Sequence, residues 1–157
     1  LSTQKAIQEF KGVSHRLQLV TIKNGVQWFD DSIATAPERT IAAIEAFNEP
    51  IVILLGGKDK NLPWAKLLHL VNQKVDHVVL FGHTGPKIKK YIEDMKFDHL
   101  NFSIDICDHL QEAVQIANQL SEPGDVVLLS PGGTSYDAFK DFEERGEKFK
   151  QWVLQLQ

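Results

Sequence analysis

The sequence predicts an α/β domain with a Rossmann-like, mostly parallel sheet, helices on both faces and one antiparallel hairpin strand at an edge. Apolar strand-like runs alternate with helical segments about every 25 residues, which is the pattern of βαβ units. The run over 51–55 is apolar throughout, without polar alternation, and this is typical of a parallel strand that is buried on both faces. An Asn-Gly pair at 24–25 predicts the hairpin.

The hairpin comes first along the chain. Leu17 and Leu19 alternate with polar positions, the Asn-Gly turn follows, and the chain returns over residues 26–29. A helix then begins near Pro37, because proline in a first turn has no N–H to leave unpaired, and Glu38 suits the positive end of the helix dipole. Further strands are predicted over 51–55, 77–82, 102–107 and 125–133, and further helices over 64–71, 86–95, 110–120 and 142–156.

The composition is that of an ordinary globular domain, with 43% hydrophobic and 24% charged residues among 157. The single cysteine, Cys107, excludes an intrachain disulfide and suits a reducing compartment. The formal net charge of −4 gives no global attraction to nucleic acids or membrane surfaces, and no apolar run reaches the ~18 residues that span a bilayer. We expect a cytoplasmic protein, a monomer, with no nucleic-acid or membrane partner.

Residues 1–10, LSTQKAIQEF, have the character of an incoming connector. They begin with Leu and have neither a basic start nor an apolar core, so they do not form a signal peptide. Ser2 and Thr3 predict the cap of a short helix. We interpret the chain as a piece of a longer or processed protein whose main domain is 11–157.

Four predicted strand ends carry unusual polar and glycine-rich sequences. They are FDDSIAT (29–35), LLGGKDKN (54–61), LFGHTG (80–85) and LLSPGGTSYDAF (128–139). In open α/β sheets, ligands bind beyond the carboxyl ends of the strands, so these converging loops predict the binding site.

Each loop allows a structural interpretation beside the functional one. Asp31 could accept a ribose hydroxyl or a magnesium-bound water, or cap its own turn, and Thr35 could cap the following helix. Lys58 and Lys60, beside a Gly-Gly turn, suit a carboxylate or phosphate, although loop lysines are usually solvated. The glycine-rich loop with Ser135 predicts an anion-binding cradle at a helix start, or else a serine-capped turn.

Several well-known motifs are absent. The spacing G-x-x-x-x-G-K-[ST] of a P-loop does not occur, and the last loop is not a G-x-S-x-G nucleophile elbow. The six histidines show no metal-ligand spacing, so no metal site is expected in this chain.

The order of the motifs resembles the C-terminal domain of the Mur ligases. The resemblance covers nearly the whole chain, and it rests on FKGVSHR (10–16), NGVQWFDDSIAT (24–35), LLGGKDK (54–60) and LLSPGGTSYDAFKDFEERG (128–146). It implies a three-domain, ATP-dependent ligase in which a first domain holds the UDP-sugar. A central domain would hold the P-loop, most magnesium ligands and a carbamylated lysine, and residues 1–10 would be its tail or a linker.

The resemblance implies that this domain brings the amino acid and closes over ATP. The expected reaction activates UDP-N-acetylmuramoyl-L-alanine as an acyl phosphate and adds D-glutamate, a step in peptidoglycan precursor synthesis. No catalytic residue is expected in this chain, which alone should be inactive. By the resemblance, Arg16 and Asp31 would contact ATP. The residues expected around D-glutamate are Thr35, Lys60, Ser135, Tyr136 and Phe142.

Within that group, Lys60 would pair with a substrate carboxylate, and Thr35 and Ser135 would donate hydrogen bonds to it. One position departs from the family, because Ile33 stands where D-S-K-A-T has lysine. Either Lys58 supplies the missing cation from the neighbouring loop, or the amino acid differs. The alternative functions are a related Mur-type ligase with another acceptor and a non-catalytic nucleotide- or anion-binding module.

Overall fold

The computed structural model describes residues 13–157, so the connector expected at 1–10 lies outside the described residues. The strands are β1 (Gln18–Lys23), β2 (Val26–Asp30), β3 (Ile51–Gly56), β4 (Val75–Phe81), β5 (Ser103–Ile106) and β6 (Val126–Leu129). The helices of the described part are α1 (Pro37–Glu45), α2 (Ala65–Lys74), α3 (Gly85–Met95), α4 (Leu110–Leu120) and α5 (Phe142–Leu154).

The six strands form one sheet in the order β1-β2-β6-β3-β4-β5. β1 pairs antiparallel with β2, and every other neighbouring pair is parallel. Asn24 and Gly25 have φ values of 53° and 78°, as a two-residue hairpin turn requires. The predicted fold class, including the antiparallel edge hairpin, is confirmed.

Two apolar cores sandwich the sheet. On one face, α1, α2 and α3 bury residues such as Ile44, Leu67 and Ile88, all fully inaccessible, against the strands. On the other face, α4 and α5 bury residues such as Val114 and Phe149. β3 is buried at all six positions, which explains why its sequence has no polar alternation. Within residues 13–157, no helix is long and apolar enough to cross a membrane.

The sheet opens a crevice at the carboxyl end of β6. β6 leads to α5 on one face, whereas its two neighbours, β2 and β3, lead to α1 and α2 on the opposite face. Loops that leave adjacent strands toward opposite faces create the binding crevice of open α/β sheets. The topology therefore brings three of the four predicted loops together.

Candidate functional site

Backbone hydrogen bonds join the loops that follow β2, β6 and β3 into one layer, which we call the floor of the site. The Asp31 N–H donates to the Leu129 carbonyl at 2.8 Å, and the Gly132 N–H donates to the Ala34 carbonyl at 2.9 Å. The Gly56 N–H donates to the Pro131 carbonyl at 3.0 Å. These hydrogen bonds hold the three loops against one another.

Asp31 is a buried crosslink within this floor. Its Oδ1 accepts from the Leu17 N–H at 3.1 Å, and its Oδ2 accepts from the Ser130 hydroxyl at 2.7 Å. Burial raises the pKa of Asp31 to about 7, although both hydrogen bonds and Arg16 oppose the rise. The side chain therefore joins the hairpin to β6, and the interpretation that it caps its own turn is wrong.

Arg16 and Asp31 line the same cavity, of about 180 Å³, next to α1. The wall is largely apolar and includes Ile33 and Ala34, with Arg39 also at its edge. His15 and Leu17 flank Arg16 with φ values of 64° and 42°, a conformation that is rare for residues with side chains. The Leu17–Asp31 hydrogen bond helps to hold this strained turn in place.

Thr35 and Lys60 meet across two loops. The Lys60 ammonium donates to the Thr35 hydroxyl at 3.4 Å, and Lys60 is otherwise exposed. Thr35 does not cap α1, because the N-cap is Ala36 and no side chain completes it. The hydroxyl and the ammonium are therefore available together at the surface of the site.

The glycine-rich loop after β6 does not run directly into a helix. α5 begins at Phe142, where the Asp141 side chain accepts from the Glu144 N–H at 2.8 Å. The expected cradle of helix-start N–H groups at Ser135 is therefore wrong. Ser135 is buried and its carbonyl accepts the N–H groups of residues 138 and 139, while Tyr136 is 70% exposed.

Lys58 lies in a different cavity from Ile33. Its N–H and carbonyl pair with Thr134 in an isolated antiparallel bridge, and its side chain lines a polar cavity with His83 and Tyr136. Ile33 instead lines the cavity of Arg16. The structure therefore gives no geometric support for Lys58 as the replacement of a cation at position 33.

Arg145 is a fully buried cation that the sequence interpretation missed. Its Nε donates to the Ser32 hydroxyl at 2.9 Å, its Nη2 to the Ser32 carbonyl at 2.8 Å and its Nη1 to the Gly133 carbonyl at 3.0 Å. Burial lowers the pKa of Arg145 to about 10, and Asp137 and Asp30 oppose that change. The helical spacing of Phe142, Arg145 and Phe149 on one face of α5 is the signal that could have identified it.

Phe142, the last predicted substrate residue, sits where α5 meets this floor. Its carbonyl accepts from the Ser32 hydroxyl at 2.7 Å, and its ring packs edge-on against His15 at 6.2 Å. Behind it, His15 Nδ1 lies 2.7 Å from Asp30 Oδ2. A Cβ at Gly146 would come 2.2 Å from that imidazole nitrogen, so α5 approaches the hairpin only because this residue is glycine.

Within residues 13–157, no group of three or more His, Cys, Asp or Glu side chains could hold a metal ion. The carboxylate nearest the Arg16 cavity, Asp31, already has a donor on each oxygen.

The sheet topology and the crevice define a ligand-binding α/β domain. The sequence model of the family described as "Mur ligase, glutamate ligase domain" matches residues 15–133. The chain therefore belongs to the Mur ligase family, within its glutamate ligase domain.

One curated relative is a UDP-N-acetylmuramoylalanine–D-glutamate ligase of Acetivibrio thermocellus. It is 41% identical over 158 aligned positions, which cover 98% of this chain and 34% of that protein. The chain thus spans about a third of the length of the curated relatives it matches.

Two solved structures share the fold. A murein peptide ligase from Psychrobacter arcticus superposes with a TM-score of 0.66 at 14% identity, covering 94% of this chain and 31% of that one. A bifunctional folylpolyglutamate synthase/dihydrofolate synthase from Yersinia pestis, complexed with AMPPNP and a manganese ion, gives 0.58 at 16% identity, covering 92% and 32%.

Proposed function

We propose that this chain is the amino-acid-binding domain of a cytoplasmic, ATP-dependent ligase that adds D-glutamate to UDP-N-acetylmuramoyl-L-alanine. The observation that carries the proposal is the contact of Lys60 with Thr35, which are 25 positions apart in sequence. This pair lies beside the cavity of Arg16 and Asp31, since Thr35 and Asp31 belong to the same loop. The name and 41% identity of the Acetivibrio thermocellus relative support the choice of reaction.

The Arg16 cavity fits part of a nucleotide. Its apolar wall suits a flat heterocycle, and the guanidinium groups of Arg16 and Arg39 suit anionic oxygens. Pockets that enclose a whole ligand have about 300–1,000 Å³, and this cavity of about 180 Å³ is smaller. A second domain would therefore complete the ATP site. ATP would supply the phosphoryl group that activates the carboxylate of UDP-N-acetylmuramoyl-L-alanine.

We infer that exposed Lys60, half-buried Thr35 and Phe142, buried Ser135 and exposed Tyr136 would together hold the amino acid. The Lys60 ammonium would pair with a carboxylate of D-glutamate, while the hydroxyls of Thr35 and Ser135 would donate hydrogen bonds to it. Tyr136 and Phe142 would border the same substrate. Such contacts fix the amine relative to the activated carboxylate, and positioning is the main physical demand of this reaction.

The remaining machinery would lie in other domains of a longer, monomeric chain. We propose that residues 1–10 lead from a central domain that holds the P-loop, the carbamylated lysine and most magnesium ligands. Residues 11–157 would then close over ATP held by that domain, because an amide-forming site must both admit substrate and exclude water.

The test is ATP-dependent phosphate release by the full-length enzyme that carries this domain. UDP-N-acetylmuramoyl-L-alanine would be supplied with D-glutamate, L-glutamate, D-aspartate or D-glutamine. We expect turnover with D-glutamate alone. Absence of turnover with every amino acid would contradict the ligase proposal and favour a non-catalytic binding module.

A second candidate is a Mur-type ligase with a different acceptor amino acid. Ile33 replaces the usual lysine, and Lys58 lines another cavity. Preference for another amino acid of the panel would support this candidate, and it would remain consistent with a ligase of the Mur family.

A further inference from the structure

The loop between β3 and α2 contains a buried carboxylate between two exposed lysines. The side chain of Asp59 is only 3% exposed, although Lys58 and Lys60 on either side reach solvent. This arrangement is unusual for a surface loop, because a buried charge costs free energy unless several donors compensate it. Asp59 does not belong to the residues that the proposed function uses.

Four donors surround the Asp59 carboxylate. Oδ1 accepts from the Asn61 N–H at 3.0 Å and from the Trp64 indole N–H at 3.1 Å. Oδ2 accepts from the Tyr91 hydroxyl at 3.0 Å and forms an ion pair with Lys87 at 3.2 Å. Burial acts to raise the pKa of Asp59, but these donors outweigh it and the pKa lies below its usual value.

The backbone of the loop is fixed on both sides of Lys60. The Asp59 N–H donates to the Thr84 hydroxyl at 2.7 Å, and the Thr84 N–H donates to the Gly57 carbonyl at 2.9 Å. After Lys60, Asn61 has a φ of 60°, and its side-chain oxygen accepts from Lys87 at 2.8 Å. Tyr91 and Lys87 both belong to α3, so this helix anchors the loop.

We propose that Asp59 is a positioning residue that acts through Lys60 and thereby sets the affinity for the amino acid. Its contacts hold one backbone path, and from that path the Lys60 ammonium reaches Thr35 at 3.4 Å. Binding groups are most effective when neighbouring hydrogen bonds fix their geometry in advance. The inference rests on the proposed role of Lys60 in binding the amino-acid carboxylate.

The test is a double-mutant cycle in the full-length enzyme with Asp59→Asn and Lys60→Ala. Asparagine keeps the shape but places an NH₂ group among four donors. We expect Asp59→Asn alone to raise the amino-acid KM about tenfold, with the ATP KM and kcat changed less than about twofold. In the Lys60→Ala background the same substitution should raise the amino-acid KM less than about twofold, because its effect passes through Lys60.

Asp94→Asn is the matched control, since Asp94 lies on α3 in an exposed pair with Lys90 at 3.6 Å. It should change each KM less than about twofold. If Asp59→Asn does not fold, Tyr91→Phe removes a single donor and should raise the amino-acid KM about threefold.

Additive effects of the two substitutions, or equal rises in both KM values, would overturn the positioning role. If Lys60→Ala leaves the amino-acid KM unchanged, the assigned role of Lys60 fails instead, so the two failures are distinguishable.

Discussion

At the floor of the site, Asp31, Ser32 and Arg145 are buried and hydrogen-bonded, whereas at its rim Lys60 and Tyr136 are exposed. The floor side chains bind other parts of the chain, as the three hydrogen bonds of Arg145 show. Lys60 at the rim makes one long contact, with Thr35. The floor residues therefore hold the loops in position. The rim residues are exposed and can contact a ligand. Substitutions in the floor should lower the free energy of unfolding, and those in the rim should change KM.

Arg145→Met should give the largest effect on stability. It leaves the buried carbonyls of Ser32 and Gly133 without donors, at about 1–3 kcal/mol each, so we expect a loss of about 3–5 kcal/mol. Urea unfolding of this chain measures the loss. Lys148→Met, at an exposed position of the same helix, should stay within about 0.5 kcal/mol. Equal losses in the free energy of unfolding for the two variants would show that the three hydrogen bonds of Arg145 contribute little to stability.

Asp31 should make the floor sensitive to pH. In the folded chain the Asp31 carboxyl group has a pKa of about 7, whereas in the unfolded chain its pKa is near 3.8. The free energy of unfolding should therefore fall by at most about 4 kcal/mol as the pH rises from about 4 to 7. Above pH 7 it should no longer change through Asp31. Asp31→Asn should flatten this dependence in urea titrations at several pH values. If Asp31→Asn leaves the pH dependence of the free energy of unfolding unchanged, other titrating groups cause that dependence.

Gly146→Ala tests the close contact between α5 and the hairpin. The added methyl group would collide with the buried pair of His15 and Asp30, and such overpacking costs about 1–3 kcal/mol. Thermal and urea unfolding measure the loss. Gly124→Ala is the contrasting variant, because nothing lies within 4 Å of its Cβ and only its positive φ of 99° opposes the change. A loss below about 0.5 kcal/mol for Gly146→Ala would contradict the packing explanation.

The smallest effect is expected at the boundary between floor and rim. Ile33→Lys would add a cation to the cavity lined by Arg16 and Arg39, so the ATP KM of the full-length enzyme should fall by about two- to fivefold. The amino-acid KM should change less, and steady-state kinetics with each substrate varied separately measures both. A larger fall in the amino-acid KM would place residue 33 beside the amino acid.

The fold was predictable because its signals are local. β3 is apolar at every position before its terminal glycine, and the Asn-Gly pair sits at the hairpin turn. The contact between Thr35 and Lys60 could also be predicted from the sequence. Both residues lie just beyond strands whose carboxyl ends share one edge of the sheet.

The buried charges were not predictable in the same way. Asp59 lies between two lysines and resembles a solvated residue, and its partners Trp64 and Tyr91 come from separate helical regions that only the tertiary structure brings together. The same limit applies to the glycine-rich loop, where an anion-binding cradle was expected at Ser135 although the last helix was correctly predicted to begin at Phe142. Its residues after Ser135 form a turn that precedes the Asp141 cap.

A comparison of Lys60→Ala with Lys58→Ala in the full-length enzyme tests most directly whether Lys60 binds the amino acid. These exposed lysines are two residues apart on one loop, but only Lys60 contacts Thr35. Losing a charge-assisted hydrogen bond of about 1.5–3 kcal/mol predicts a rise of about 10- to 100-fold in the amino-acid KM for Lys60→Ala. The ATP KM should stay within about twofold, as should both KM values of Lys58→Ala. Equal rises in both KM values for Lys60→Ala, or a larger amino-acid effect for Lys58→Ala, would contradict the assignment of the rim to the amino acid.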